Sequence, residues 1–147
     1  GTHRLGLSDA ILIKNNHLAL LALREEDAVV TAIERAWAGR KSAAFVEIEV
    51  RSAESAVAAA QAFRRVRAGD AASCPCLLLL DNMSPEQARG TLDVLQSERL
   101  RDEVLVEVSG AICESSLDEY ASCGADALSM GALTHSSMAL DISLRIS

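Results

Sequence analysis

A chain of 147 residues is long enough to bury one sizeable core, and this one is 50% hydrophobic but only 3% aromatic. Its core must therefore be aliphatic, which suits helices layered on a buried sheet better than a β-sandwich. A formal charge of −7 excludes attraction to nucleic acid or an anionic membrane; any anionic ligand must be held by local cations and backbone amides against the overall charge.

In chain order, short continuous apolar runs stand at "AILIK" (10–14), "AFVEIEV" (44–50), "CLLLLD" (76–81), "VLVEVSG" (104–110) and "ALSMG" (127–131). Helical signals lie between them. Glu25 to Ala38 is rich in helix formers, and Gly39 follows as a stop. Ser52 caps a helix over 53–68 that ends at Gly69. "SPEQ" at 84–87 combines a cap, a first-turn proline and a capping-box glutamine, opening a helix to about Leu100. Ser115 or Ser116 starts a short helix that Gly124 ends. The tail "MALDISLRIS" alternates Leu140, Ile142, Leu144 and Ile146 with polar residues, as a last strand or an amphipathic turn.

Strands apolar on both faces, alternating with helices, predict parallel β/α units in a barrel or a doubly wound sheet. Cys74, Cys76, Cys113 and Cys123 include no C-x-x-C pair; they read as reduced, partly buried thiols, with a metal on Cys74-Pro75-Cys76 as the lesser alternative. No signal peptide is recognisable and no apolar run approaches the ~20 residues of a membrane span, so the chain is read as cytoplasmic.

Polar residues gather where the strands end. The first run ends in Lys14, the second carries Glu47 and Glu49, and the third ends in Asp81-Asn82. The fourth carries Glu107 and then Ser109-Gly110; the fifth ends in Gly131-Ala132. In parallel β/α folds these ends share the face that holds the active site. A lysine, acids and small-residue turns converging there suit a phosphorylated, metal-associated substrate. Blander readings stay open: Lys14 as a snorkelling strand end, Asp81-Asn82 as turn chemistry, Ser109-Gly110 and Met130-Gly131 as tight turns or phosphate cradles, and His17 and His135 as structural histidines. Glu47 and Glu49 lie two apart and face one side of a strand, where paired acids are costly unless partnered or metal-linked.

The blocks "HRLGLSDAILIKNNH", "VEIEV", "LLDNMSPE", "VEVSGAI" and "GADALSMGALTHSSMALDISL" resemble, in order and spacing, the quinolinate phosphoribosyltransferase family, from residue 2 to the C-terminus. The resemblance implies an α/β fold, an incomplete parallel TIM-like β/α barrel, with this chain as the C-terminal part of the barrel domain of a two-domain enzyme. The N-terminal sandwich domain and first barrel segments would precede "HR". It implies transfer of phosphoribosyl from phosphoribosyl pyrophosphate to quinolinate with loss of CO2, giving nicotinate mononucleotide for NAD synthesis. Mg2+ accompanies the pyrophosphate, no organic cofactor is expected, and the family works as homodimers or hexamers.

The resemblance assigns His3 and Arg4 to the quinolinate carboxylates and Lys14 to a carboxylate or the pyrophosphate. Glu49 and Asp81 go to the ribose hydroxyls and, directly or indirectly, to Mg2+, with Glu47 the less certain of the two glutamates. Ser109-Gly110-Ala111 and Met130-Gly131-Ala132 present amides to the 5′-phosphate. Two positions depart from the family: Asn15 replaces an acid after Lys14, and Ala111 replaces a glycine. The family's molybdenum-operon relatives are a second enzyme reading, and a non-catalytic β/α fragment is a third. Because the matched blocks offer few cations against so many substrate anions, the isolated 147-residue chain is expected to be catalytically silent.

Overall fold

The computed structural model describes residues 9–70, 74–110 and 112–131. Five strands, β1 (Ile11–Ile13), β2 (Val46–Val50), β3 (Cys76–Asp81), β4 (Leu105–Gly110) and β5 (Ala127–Met130), form one sheet in the order β1-β2-β3-β4-β5. All neighbouring pairs are parallel. A doubly wound sheet reverses its strand order at a switch point; this sheet never does. Sequential parallel order is the winding of a barrel arc.

The helices are α1 (Asn15–Ala19), α2 (Glu25–Gly39), α3 (Ala53–Ala68), α4 (Pro85–Ser97) and α5 (Leu117–Ala121). Right-handed crossovers around sequential strands place the helices on one face of the sheet, and the burial pattern follows. Val46, Ile48, Val50, Leu78, Leu80, Val106 and Val108 are fully buried against helical Val29, Ile33, Ala59, Phe63 and Leu95. The alternate residues Leu77, Leu79 and Ser109 are only half-buried and Leu105 is exposed, because they point to the other, barrel-interior side.

Several elements end where local chemistry dictates. Ser52 Oγ accepts from the Ser55 amide at 3.1 Å and starts α3. Ser84 and Gln87 make a reciprocal capping box, with Gln87 N donating to Ser84 Oγ at 3.2 Å and Ser84 N to Gln87 Oε1 at 2.8 Å. Three details differ from the sequence reading. Helix α4 stops at Ser97 rather than near Leu100, because Arg99 turns left-handed (φ 56°) and lets Leu100 N–H reach the Leu95 carbonyl at 2.8 Å with its side chain buried. Gly39 is the last residue of α2, not its stop; the left-handed residue is Lys41 (φ 44°). The short α1 carries no apolar periodicity to announce it, and its first turn is closed by Lys14 N–H donating to His17 Nδ1 at 3.0 Å, which gives His17 a structural role. His135 and the tail from 138 onward lie outside the described residues.

Among the described residues no helix is long and apolar enough to cross a membrane. All four cysteines are free; Cys74, Cys76 and Cys123 are buried, but Cys113 is exposed, contrary to its reading as a partly buried thiol.

The α4 cap offers a direct check of the fold. Ser84→Ala leaves the Gln87 amide without its acceptor and is expected to cost about 1 kcal/mol of stability, read as a lower urea midpoint with unchanged slope.

Candidate active site

The parallel register arranges the interior-facing residues in rows. One row is Glu49, Leu79, Glu107 and Ala127, and Lys14 joins it one residue beyond the Ile13–Ile48 pair. The next row is Asp81, Ser109 and Ser129, with Arg51 one residue beyond the Val50–Leu80 pair. Gly131 follows the end of β5. Lys14, Glu49, Asp81, Ser109 and Gly131 therefore share the C-terminal end of one parallel sheet, where β/α barrels place their chemistry. His3, Arg4, Ala111 and Ala132 lie outside the described residues.

Individual side chains are held by short-range chemistry. Glu49 Oε2 accepts the Asn15 backbone amide at 3.0 Å, so the loop after β1 is pinned to the acid of β2. Glu47 lies one repeat of the pleat deeper, on the same interior side, and is 1% exposed. Asp81 Oδ2 receives Arg51 Nε at 3.0 Å and Arg51 Nη2 at 2.9 Å, while Oδ1 receives Asn82 Nδ2 at 3.0 Å. Glu107, buried, accepts a hydrogen bond from the Ser129 hydroxyl. Neither Arg51 nor Ser129 belongs to the set that the sequence pattern marks, and the pattern gives Glu107 no role. A signal for Arg51 does exist there: it continues the 47–49 alternation onto the same face.

Gly110 is required by crowding. Its φ of +131° is a conformation side chains rarely adopt, and a Cβ there would stand 2.7 Å from Asn82 Oδ1 and 2.9 Å from Asn82 Cα. Asn82 is itself left-handed (φ 55°) and its N–H donates to the Ser109 carbonyl at 2.9 Å. The loops leaving β3 and β4 are thereby locked together. At Gly131 the φ is not positive, and a Cβ would meet no described atom within 4 Å.

Among the described residues, the five strand-end residues share one face at the end of the sheet. A cavity of about 270 Å³ opens beside it, between α1, the start of α2 and Arg51. A second, of about 380 Å³, lies on the other side of Arg51 against Met83 and α4. A third, of about 410 Å³, is a groove on the outer surface between α3 and Val94. Among the described residues no group of three or more His, Cys, Asp or Glu side chains is arranged to hold a metal ion.

Residues 1–145 match the family described as "Quinolinate phosphoribosyl transferase, C-terminal domain". The chain belongs to this family. It is 41% identical over 145 residues to a probable nicotinate-nucleotide pyrophosphorylase [carboxylating] of Methanothermobacter thermautotrophicus, covering 99% of this chain and 46% of that protein. It is 34% identical over 149 residues to the human nicotinate-nucleotide pyrophosphorylase [carboxylating], covering 99% of this chain and 43% of that protein. A crystal structure of a NadC deletion mutant in a cubic space group superimposes with a TM-score of 0.72 at 32% identity, over 95% of this chain and 42% of that one. The chain thus spans a little under half the length of these relatives. The family's barrel agrees with the sequential parallel sheet, and decides between the two architectures that strand rhythm alone leaves open.

Two outcomes follow from the local geometry. Gly110→Ala forces both a strained φ and a clash with the Asn82 backbone, and is expected to cost about 2–3 kcal/mol or more, read as a lower urea midpoint. Cys113 provides a pH readout: hydrogen bonds from Ser115 and then Ser116 lower its thiol from 9.0 to about 7, while burial pushes Cys76 up to about 12. Iodoacetamide labelling of the native protein should therefore fall on Cys113 and rise through a midpoint near pH 7; Ser115→Ala should move that midpoint upward.

Proposed function

We propose that the protein carrying this chain transfers the phosphoribosyl group of phosphoribosyl pyrophosphate to the ring nitrogen of quinolinate. Loss of the 2-carboxylate as CO2 then gives nicotinate mononucleotide and pyrophosphate for NAD synthesis. The observation that supports this most is the convergence of Lys14, Glu49, Asp81 and Ser109 at one end of a parallel sheet, in a chain of this family. Such a reaction needs no covalent nucleophile. It needs anions bound, two substrates oriented, and positive charge at the anomeric carbon stabilised as the pyrophosphate departs.

Each residue has a part in this reading. Arg4, with His3 beside it, forks onto the quinolinate carboxylates. Lys14, exposed at the end of β1, neutralises a carboxylate or the pyrophosphate. Glu49 and Asp81 accept the ribose hydroxyls, and their negative charge lies where the sugar becomes oxocarbenium-like. Glu47, one row deeper on the same face, is the alternative carboxylate for the ribose hydroxyls. The Ser109-Gly110-Ala111 and Met130-Gly131-Ala132 segments offer amides to the 5′-phosphate.

Glu49 and Asp81 are carboxylates in successive rows of one strand-end face, and they fit a Mg2+ that arrives on substrate oxygens, since Mg2+ is commonly bound through one or two carboxylates plus phosphates. Glu49 and Asp81 would hold it, and its contribution when bound is to neutralise the leaving pyrophosphate. The protein is proposed to work in the cytoplasm as a homodimer or hexamer, as the family resemblance implies.

The test is an assay of the intact protein with quinolinate labelled in its 2-carboxylate, phosphoribosyl pyrophosphate and Mg2+. Labelled CO2 and nicotinate mononucleotide should appear in equal amounts, and Asp81→Asn should lower kcat/KM at least about 100-fold, the scale of losing one electrostatic stabiliser. Release of neither product would refute the reading and favour a molybdenum-operon type relative or a non-catalytic module.

A further inference from the structure

We propose that Arg51 is a second anion-binding cation of this site, parked on Asp81 before substrate arrives and transferred to the diphosphate of phosphoribosyl pyrophosphate when it binds. The inference rests on the phosphoribosyl-transfer reading and adds a residue from the junction of β2 and α3 that no motif assigns.

Position comes first. Register continues Arg51 into the row of Asp81, Ser109 and Ser129, so it flanks Asp81 on the side away from Ser109, where the diphosphate end of a sugar held by Asp81 with its 5′-phosphate near Ser109 would lie. The geometry of Asp81 then separates two kinds of partner. Asn82 bonds Oδ1 from a residue locked to Ser109 and pressed by Gly110, so it cannot leave without disturbing both loops. Arg51 bonds Oδ2 through Nε and Nη2 from a side chain that is 61% exposed, against 18% for Asp81. Exposed ion pairs are worth little and are easily exchanged. The cavities of about 270 and 380 Å³ on either side of Arg51 leave the guanidinium room to rotate without displacing packed side chains.

Charge explains why it would move. Among the described residues the interior face carries Glu47, Glu49, Asp81 and Glu107, and besides Arg51 it sets Lys14 against a diphosphate of two or more negative charges. Before substrate binds, the Arg51 fork offsets Asp81 and aims its carboxylate into the mouth. Once a ribose hydroxyl or the substrate's Mg2+ engages Asp81, that attraction is shared, and the planar fork matches a diphosphate oxygen pair better than a half-screened carboxylate. No covalent bond is made or broken in the exchange. Arg51 is thus a binding residue for one substrate only.

The experiment compares the intact wild-type protein with Arg51→Ala and Arg51→Lys. Arg51→Ala should raise the KM for phosphoribosyl pyrophosphate about ten-fold or more, the scale of one charge-assisted contact. The KM for quinolinate should stay within about two-fold, and Arg51→Lys should recover part of the loss. A surface ion pair without this role would leave the phosphoribosyl pyrophosphate KM unchanged, and that result overturns the proposal, as does an equal rise in both KM values. A calorimetric titration of Mg2+-phosphoribosyl pyrophosphate into wild type and Arg51→Ala separates this outcome from failure of the reaction itself. Absence of turnover in the wild type refutes the assigned chemistry, whereas equal affinity of the two proteins for phosphoribosyl pyrophosphate refutes the role of Arg51.

Discussion

The contact between Gly110 and Asn82 governs how the polar residues of this sheet come together. Two parallel strands can diverge as soon as their ladder ends, and each would then carry its terminal side chain away. Here the bare Cα of Gly110 lets the Asn82 backbone lie against it, and Asn82 N–H closes on the Ser109 carbonyl. The ladder is extended by one bond past Asp81. That one bond keeps Asp81 beside Ser109, orients the Asn82 amide onto Asp81 Oδ1, and leaves Oδ2 facing the largely exposed Arg51.

The electrostatics build on this arrangement. Acids are placed on the interior face where burial would penalise them, and three carboxylates of the mouth each receive a donor: Glu49 from the Asn15 amide, Asp81 from Asn82 and Arg51, Glu107 from Ser129. The donors to Glu49, and to Asp81 Oδ1, come from backbone or from a tightly fixed loop. They hold geometry without cancelling charge. Arg51 alone among these donors carries a full positive charge, and its side chain is largely exposed. Fixed neutral donors on two acids and one largely exposed cation on the third are the division that the proposed transfer of a phosphoribosyl group would use.

Much of this is legible in the sequence because parallel β/α units write themselves plainly. Runs such as "CLLLLD" are apolar on both faces, Ser52 and Ser84 announce helix starts, and the polar residue closing each run marks the mouth. The ends of α2 and α4 are not legible because the left-handed positions fall on Lys41 and Arg99, where the conformation is held by the surrounding tertiary structure rather than by a glycine. Helix α1 leaves no trace in the pattern because its closure depends on a side-chain nitrogen, not on periodicity. Arg51 continues the 47–49 alternation, but a charged residue before a helix cap normally reads as surface; its pairing with Asp81 is a fact of register, between residues thirty positions apart. The substrates proposed come from the likeness of five blocks to one family, since no spacing or periodicity could name them.

The most direct measurement is a crystal structure of the intact protein with Mg2+, phosphoribosyl pyrophosphate and phthalate, which keeps both carboxylates of quinolinate but lacks the ring nitrogen and cannot react. The account predicts ribose hydroxyls within hydrogen-bond distance of Glu49 and Asp81, with the 5′-phosphate against the turn that follows β4. Phosphoribosyl pyrophosphate bound instead in the outer groove between α3 and Val94, with Glu49 and Asp81 touching neither ligand, would contradict it.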